Sequence, residues 1–166
     1  MAAVWTITTV ERSDPRAVEA VRRILESYHD DLIAEIGETT LTAELMTLPA
    51  PYVPPDGALL LARDGSGLAA GCVGIKGLSE TACEIKRLYV LSGVRGAGLG
   101  RALVRAAIDQ ARAMGYEEML LTTLPDEMPG VVALYRSYGF EDAEAFRHHG
   151  GQAAEGVLLA FMSRHL

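Results

Sequence analysis

The sequence predicts a mixed α/β domain, α+β-like in its order of elements. Three observations lead there. Runs with a two-residue apolar alternation and runs with a helical period succeed one another as strand, helices, three meandering strands, helix, strand, helix and strands. No repeat, linker or low-complexity tract interrupts that order, so residues 1–166 are expected to form a single domain. A chain of 166 residues, 49% of them apolar, is long and apolar enough to build one substantial core.

The elements follow in order. "VWTITTV" alternates and is rich in branched and aromatic residues, which suits a first strand. Ser13, Asp14 and Pro15 supply a capping side chain and a first-turn proline, and Val18, Val21, Ile24, Leu25 and Tyr28 recur at helical spacing behind them. A second helical piece is expected over about residues 30–47. "LPAPYVPPDG" ends it, because its four prolines forbid a regular element. "ALLLARDGSGLAAGCVGI" is two strand-like runs about a glycine-rich turn, and "ACEIKRLYVL" is a third strand. Leu99, Ala102, Leu103, Ala106, Ala107, Ala111 and Met114 then mark an amphipathic helix ended at Gly115, with Arg101, Arg105 and Arg112 on its opposite face. "EEMLLTTL" reads as a short buried strand. Asp126 and Pro129 open a helix carrying Val131, Leu134, Tyr135 and Tyr138, closed by Gly139. Two last strands are expected near 140–146 and 156–162, with the loop "RHHGGQAAE" between them.

Composition narrows the function. No apolar run approaches the ~20 residues of a membrane span, and the N-terminal stretch has no basic segment followed by a long apolar one. A cytoplasmic protein without membrane contact is the expectation. Cys72 and Cys83 cannot build a disulfide framework and sit in no metal-ligand pattern, so both read as small core residues and no metal is expected. The formal charge of −7 argues against a nucleic-acid binder. Against that background Lys86, Arg87, Arg95, Arg101 and Arg105 cluster around one glycine run. They read either as a patch for one small anionic ligand or as scattered solvated charges.

That run, "VLSGVRGAGLGRAL", lies between a strand and a helix. A helix N-terminus leaves amides unpaired and carries partial positive charge, and glycines let oxygens approach the backbone. The Walker loop is excluded because no Gly-Lys pair exists. The Rossmann fingerprint is excluded because the glycine it requires falls on Arg101 or Leu103. The remaining pattern is Arg-x-x-Gly-x-Gly, matched by Arg95, Gly98 and Gly100. It follows "EIKRLYV" and precedes "ALYRSYGF".

With these motifs the chain resembles the GCN5-related N-acetyltransferase (GNAT) family, most clearly over about residues 57–146. The resemblance implies a mostly antiparallel sheet of six or seven strands, splayed between strands four and five and flanked by about four helices. It implies acetyl-coenzyme A as co-substrate, with Arg95, Gly96, Ala97, Gly98, Leu99, Gly100 and Arg101 around its pyrophosphate. Leu88, Tyr89 and Val90 would run beside its pantetheine arm, since an extended amide-bearing chain can pair with an open strand edge.

Acetyl transfer to an amine needs a base for an ammonium of pKa ~10, a donor for the oxyanion and an acid for the departing thiolate. By resemblance Tyr135 is that acid, and the backbone N–H near Val90 is the donor. Glu84 is either the base or half of a structural ion pair, and His148 and His149 are loop alternatives. Many family members carry an asparagine where this chain has Met128, so no side-chain role is assigned there. The expected reaction is direct attack by a small-molecule or peptide amine in a ternary complex. A non-catalytic acyl-coenzyme A-binding or regulatory module is the alternative. The acceptor site is expected around Tyr28–Glu44, "PAPYVPP" and "RHHGGQ", where Asp30, Asp31, Glu35 and Glu38 suit a cationic amine or simply face solvent. Monomer and homodimer both remain open.

Overall fold

The computed structural model describes residues 2–36, 41–124, 129–146 and 159–166. Strand β1 (Thr6–Thr9) leads into helix α1 (Pro15–Ile36). Asp14 caps that helix, its carboxylate accepting from the amides of Arg16 and Ala17 at 3.1 Å each. The helix does not break near residue 30. Leu25, Tyr28 and Leu32 continue the stripe begun at Val21, so residues 30–36 of the second helical piece are a continuation of α1. Helix α2 spans Leu41–Thr47, and residues 37–40 before it lie outside the described residues.

The meander follows as β2 (Ala58–Arg63), β3 (Ala69–Gly77) and β4 (Ala82–Val90). Then come a 3-10 turn at Ser92–Val94, α3 (Leu99–Ala113), β5 (Glu118–Thr123), α4 (Pro129–Ser137), β6 (Glu141–Asp142) and β7 (Ala160–His165). The strand expected over 140–146 pairs for two residues only, Glu141 with Ser163 and Asp142 with Met162. Its partner β7 overlaps the strand expected at 156–162 and runs on to His165, residues 156–158 lying outside the described residues. The expectations on Asp126, Met128, His148 and His149 fall outside the described residues, as do the side chains of Glu35 and Glu38.

All seven strands form one sheet in the order β1-β2-β3-β4-β5-β7-β6. Every pair is antiparallel except β4–β5. Both faces are covered, which is why "ALLLA" is apolar throughout rather than alternating. Leu60, Ala62, Val73 and Ile85 pack with Leu103, Val104 and Ala107 of α3. Leu59, Leu61 and Cys72 pack on the other side with Val21, Ile24 and Leu25 of α1. Both cysteines are fully buried, as expected, but on opposite faces, since Cys83 belongs to the α3 side.

The parallel pair holds the feature that positions the site. It consists of Ala82 opposite Glu118, Cys83 opposite Met119 and Glu84 opposite Leu120. β4 continues to Val90, whereas β5 is paired along its whole length with β7. The two strands therefore part after Glu84, leaving one edge of β4 open.

Candidate active site

The open edge presents specific backbone groups. The amide of Leu91 donates to Ala70 at 2.9 Å, and Val90 and Tyr89 stand opposite Gly71 and Cys72. Bonding alternates along an antiparallel ladder, so Tyr89 bonds toward β3 while the amides and carbonyls of Leu88 and Val90 point into the opening, where the Val90 carbonyl accepts from Arg95. Their side chains pack against the α3 core, so burial and an outward-facing backbone coexist at the same residues.

The glycine run continues this edge. Gly96 and Gly98 have φ of +82° and +83°, and Gly98 is the N-cap of α3. A non-glycine residue held left-handed costs roughly 1–2 kcal/mol. A Cβ at either position would meet no atom of the chain within 4 Å, so packing does not demand these glycines. Backbone conformation does. No side chain caps α3, and among the described residues nothing accepts from the amides of Gly96 to Arg101. This row of unpaired donors at the start of a 15-residue helix fits an oxyanion or pyrophosphate group. Gly100 is helical, and a Cβ there would make an ordinary contact with Leu134 at 3.5 Å.

The cations read either as an anion patch or as scattered charges make separate contacts. Arg95 donates to the Val90 carbonyl at 3.0 Å, lies over the Tyr89 ring and pairs with Asp31 at 3.6 Å. Arg101 stacks over Tyr138 and donates to Ser137 at 3.3 Å, tying α3 to α4. Lys86 and Arg87 pair with Glu44 on the opposite face. Arg105 remains a solvent-facing helix residue. Around the glycines, the groups facing outward are backbone amides. Asp31 is likewise engaged, accepting from Tyr89 at 2.5 Å, whereas Asp30 lies near His29 and is exposed.

Tyr135 sits on α4 with 5% exposure, its ring edge-on to Phe140. Among the described residues nothing hydrogen-bonds its hydroxyl, an uncommon state for a buried polar group. Burial, reinforced by the nearby Tyr28, raises its pKa and keeps the phenol protonated at neutral pH. Tyr28, on α1, stacks on Tyr89 with centroids 5.0 Å apart. Glu84 is 2% exposed and is the last β4 residue paired to β5, so it stands where the strands divide. Cys83 and Ile85 point to the α3 side, which places Glu84 on the α1 side with Lys86.

A second polar cluster was not legible in the sequence. Arg87 donates twice to Glu44, Nε at 2.7 Å and Nη2 at 2.9 Å, and Tyr52 donates to the same carboxylate at 2.6 Å. Burial alone would raise the Glu44 pKa, but the Arg87 hydrogen bonds and charge, with help from Tyr52 and Lys86, outweigh it and hold the carboxylate below its usual range. The folded pKa being the lower one, the pair contributes fully above the ordinary glutamate range and is lost as pH falls through the folded value. Urea midpoints should accordingly fall more steeply below about pH 5 in the native chain than in Glu44→Gln. Parallel pH dependences would show that Glu44 titrates alike in both states.

Residues 19–140 match the model of the acetyltransferase (GNAT) family. The chain belongs to the GNAT family. A Schizosaccharomyces pombe relative described as an uncharacterized N-acetyltransferase is 34% identical over 81% of this chain and 83% of its own. An acetyltransferase of GNAT family from Staphylococcus aureus superposes with a TM-score of 0.76 at 17% identity, over 98% of this chain and 99% of that one. A GNAT superfamily phosphinothricin acetyltransferase from Sinorhizobium meliloti, solved in complex with acetyl-CoA, superposes with a TM-score of 0.73 at 21% identity, covering 100% and 89%. The GNAT fold, with its parallel β4–β5 pair inside a mostly antiparallel sheet, is thus common to this chain and these structures. No helix among the described residues is long and apolar enough to cross a membrane.

Proposed function

We propose that this GNAT protein is an acetyl-CoA-dependent N-acetyltransferase acting on a primary amine of a small molecule or peptide by direct attack in a ternary complex. The observation that carries the reading is the continuity of the open β4 edge with the uncapped start of α3. Extended amides can pair with Leu88 and Val90, while Gly96 to Arg101 offer a row of donors to a pyrophosphate. The acetyl-CoA complex of the Sinorhizobium structure supports the same donor.

Within that frame Tyr135 holds a proton at a buried hydroxyl and releases it to the departing sulfur. The amide of Leu88 or Val90 donates to the developing oxyanion. Glu84, at the divide between the strands, takes the proton of the attacking amine directly or through water. Direct attack is supported by the cysteines. Burial pushes the thiols of Cys72 and Cys83 up to about 12, which leaves little thiolate to form an acyl-enzyme.

The test is a screen for free thiol release from acetyl-CoA across amino acids, polyamines, aminoglycosides and peptide N-termini, run beside Glu84→Gln. With an accepted amine, Glu84→Gln should lower kcat by about 10²-fold and flatten the acid limb of the pH profile. An unchanged limb removes Glu84 from the base role. Tight coenzyme binding with no thiol release from any amine favours a regulatory module.

A further inference from the structure

Arg87 has φ of +58°, the one positive value at a non-glycine residue among those described. Its cause lies in the strand register. Cys72 stands opposite Tyr89 and Gly74 opposite Lys86, so Val73 alone faces both Arg87 and Leu88. This is a β-bulge, and the extra residue reverses the alternation of everything after it. Lys86 and Arg87 are sequence neighbours that both reach Glu44, which a regular pleat does not allow. Beyond the bulge Leu88 and Val90 join the α3 core while Tyr89 turns to the α1 side. Without the bulge, the backbone groups of Arg87 and Tyr89 would face the opening instead.

The bulge is fastened from outside the strand. Glu44 holds Arg87 with two hydrogen bonds, and both side chains are largely buried, at 9% and 13% exposure. Tyr52 secures Glu44 from the far side. Its ring lies directly on β3 at Gly74, where an added Cβ would come within 2.7 Å of the ring. The thiol of Cys72 donates to the Arg87 carbonyl at 3.5 Å.

We infer that Glu44, Arg87 and Tyr52 are positioning residues. They fix the bulge so that the Leu88 and Val90 amides point at the acyl group of a bound thioester. The inference rests on the acetyl-CoA reading above. It assigns to α2 and the proline-rich segment a part in orienting the acyl group as well as in packing.

The test compares binding of coenzyme A and acetyl-CoA by calorimetry, which needs no acceptor. In the native chain the acetyl group should tighten binding by about 3- to 10-fold, the worth of one or two hydrogen bonds. The double variant Arg87→Gly/Glu44→Leu removes both charges of the pair together and tolerates the positive φ. It should bind coenzyme A within about threefold of the native chain while losing most of the acetyl increment. Tyr52→Phe, which keeps the ion pair, should lose part of it and serves if the double variant does not fold. An undiminished increment in either folded variant overturns the inference, as does a native chain that binds both ligands equally. A native chain that binds neither ligand overturns the acetyl-CoA reading itself.

Discussion

Tyr135→Phe is expected to lower kcat by about 10²- to 10⁴-fold, the range of general acid–base contributions, without weakening the fold. The two halves of that result discriminate together. The hydroxyl is buried and lacks a hydrogen-bond partner among the described residues, so its removal orphans no group among them and should leave urea stability unchanged or slightly raised. The ring keeps its edge contact with Phe140. A purely structural tyrosine would show the reverse pattern, with activity retained and stability moved. The KM for acetyl-CoA should change little, because the acid acts on the leaving group rather than on binding. Retained kcat with an accepted amine, across pH, removes Tyr135 from the acid role.

Gly98→Val is expected to weaken coenzyme A binding on the order of 10²-fold. Left-handed backbone at a β-branched residue costs roughly 1–2 kcal/mol, about 5- to 30-fold in affinity when the loop must hold that conformation to bind. The added side chain also projects from the N-cap of α3, beside the donors assigned to the pyrophosphate. Gly93→Ala is the matched control. Its φ is not in the left-handed region and a Cβ there meets no atom within 4 Å, so calorimetry should find its affinity near the native value. Equal losses at both positions would mean general loop disruption.

The amino-acid sequence carries the parts of the fold that depend on local pattern. Helical stripes, the glycine caps at Gly115 and Gly139 and the doubly buried "ALLLA" strand can all be read from neighbours a few residues apart. The donors at the start of α3 are readable in the same way, because glycine spacing reports backbone conformation directly. The side-chain charges are not. Arg95, Arg101 and Arg87 are close in sequence yet end on Val90 and Asp31, on Tyr138, and on Glu44, destinations set by strand register and helix packing. The bulge at Arg87 depends on a count against β3, fifteen residues away by the Cys72 contact. Adjacent cations in a strand share a face only where the pleat is interrupted, but nothing in the sequence tells that Lys86 and Arg87 both reach Glu44. Helix α1 runs past the boundary expected near residue 30 for a related reason, since Leu32 extends the apolar stripe.

We propose that one continuous surface, the open edge of β4 and the start of α3, holds an acyl-coenzyme A. Amide NMR of the uniformly labelled chain during an acetyl-CoA titration tests it most directly. Saturable shifts are expected at Leu88, Val90, Gly96, Gly98 and Gly100, with Gly65 and Gly67 in the β2–β3 turn unmoved. Saturable binding that leaves those five amides unchanged, or no binding at all, would contradict it.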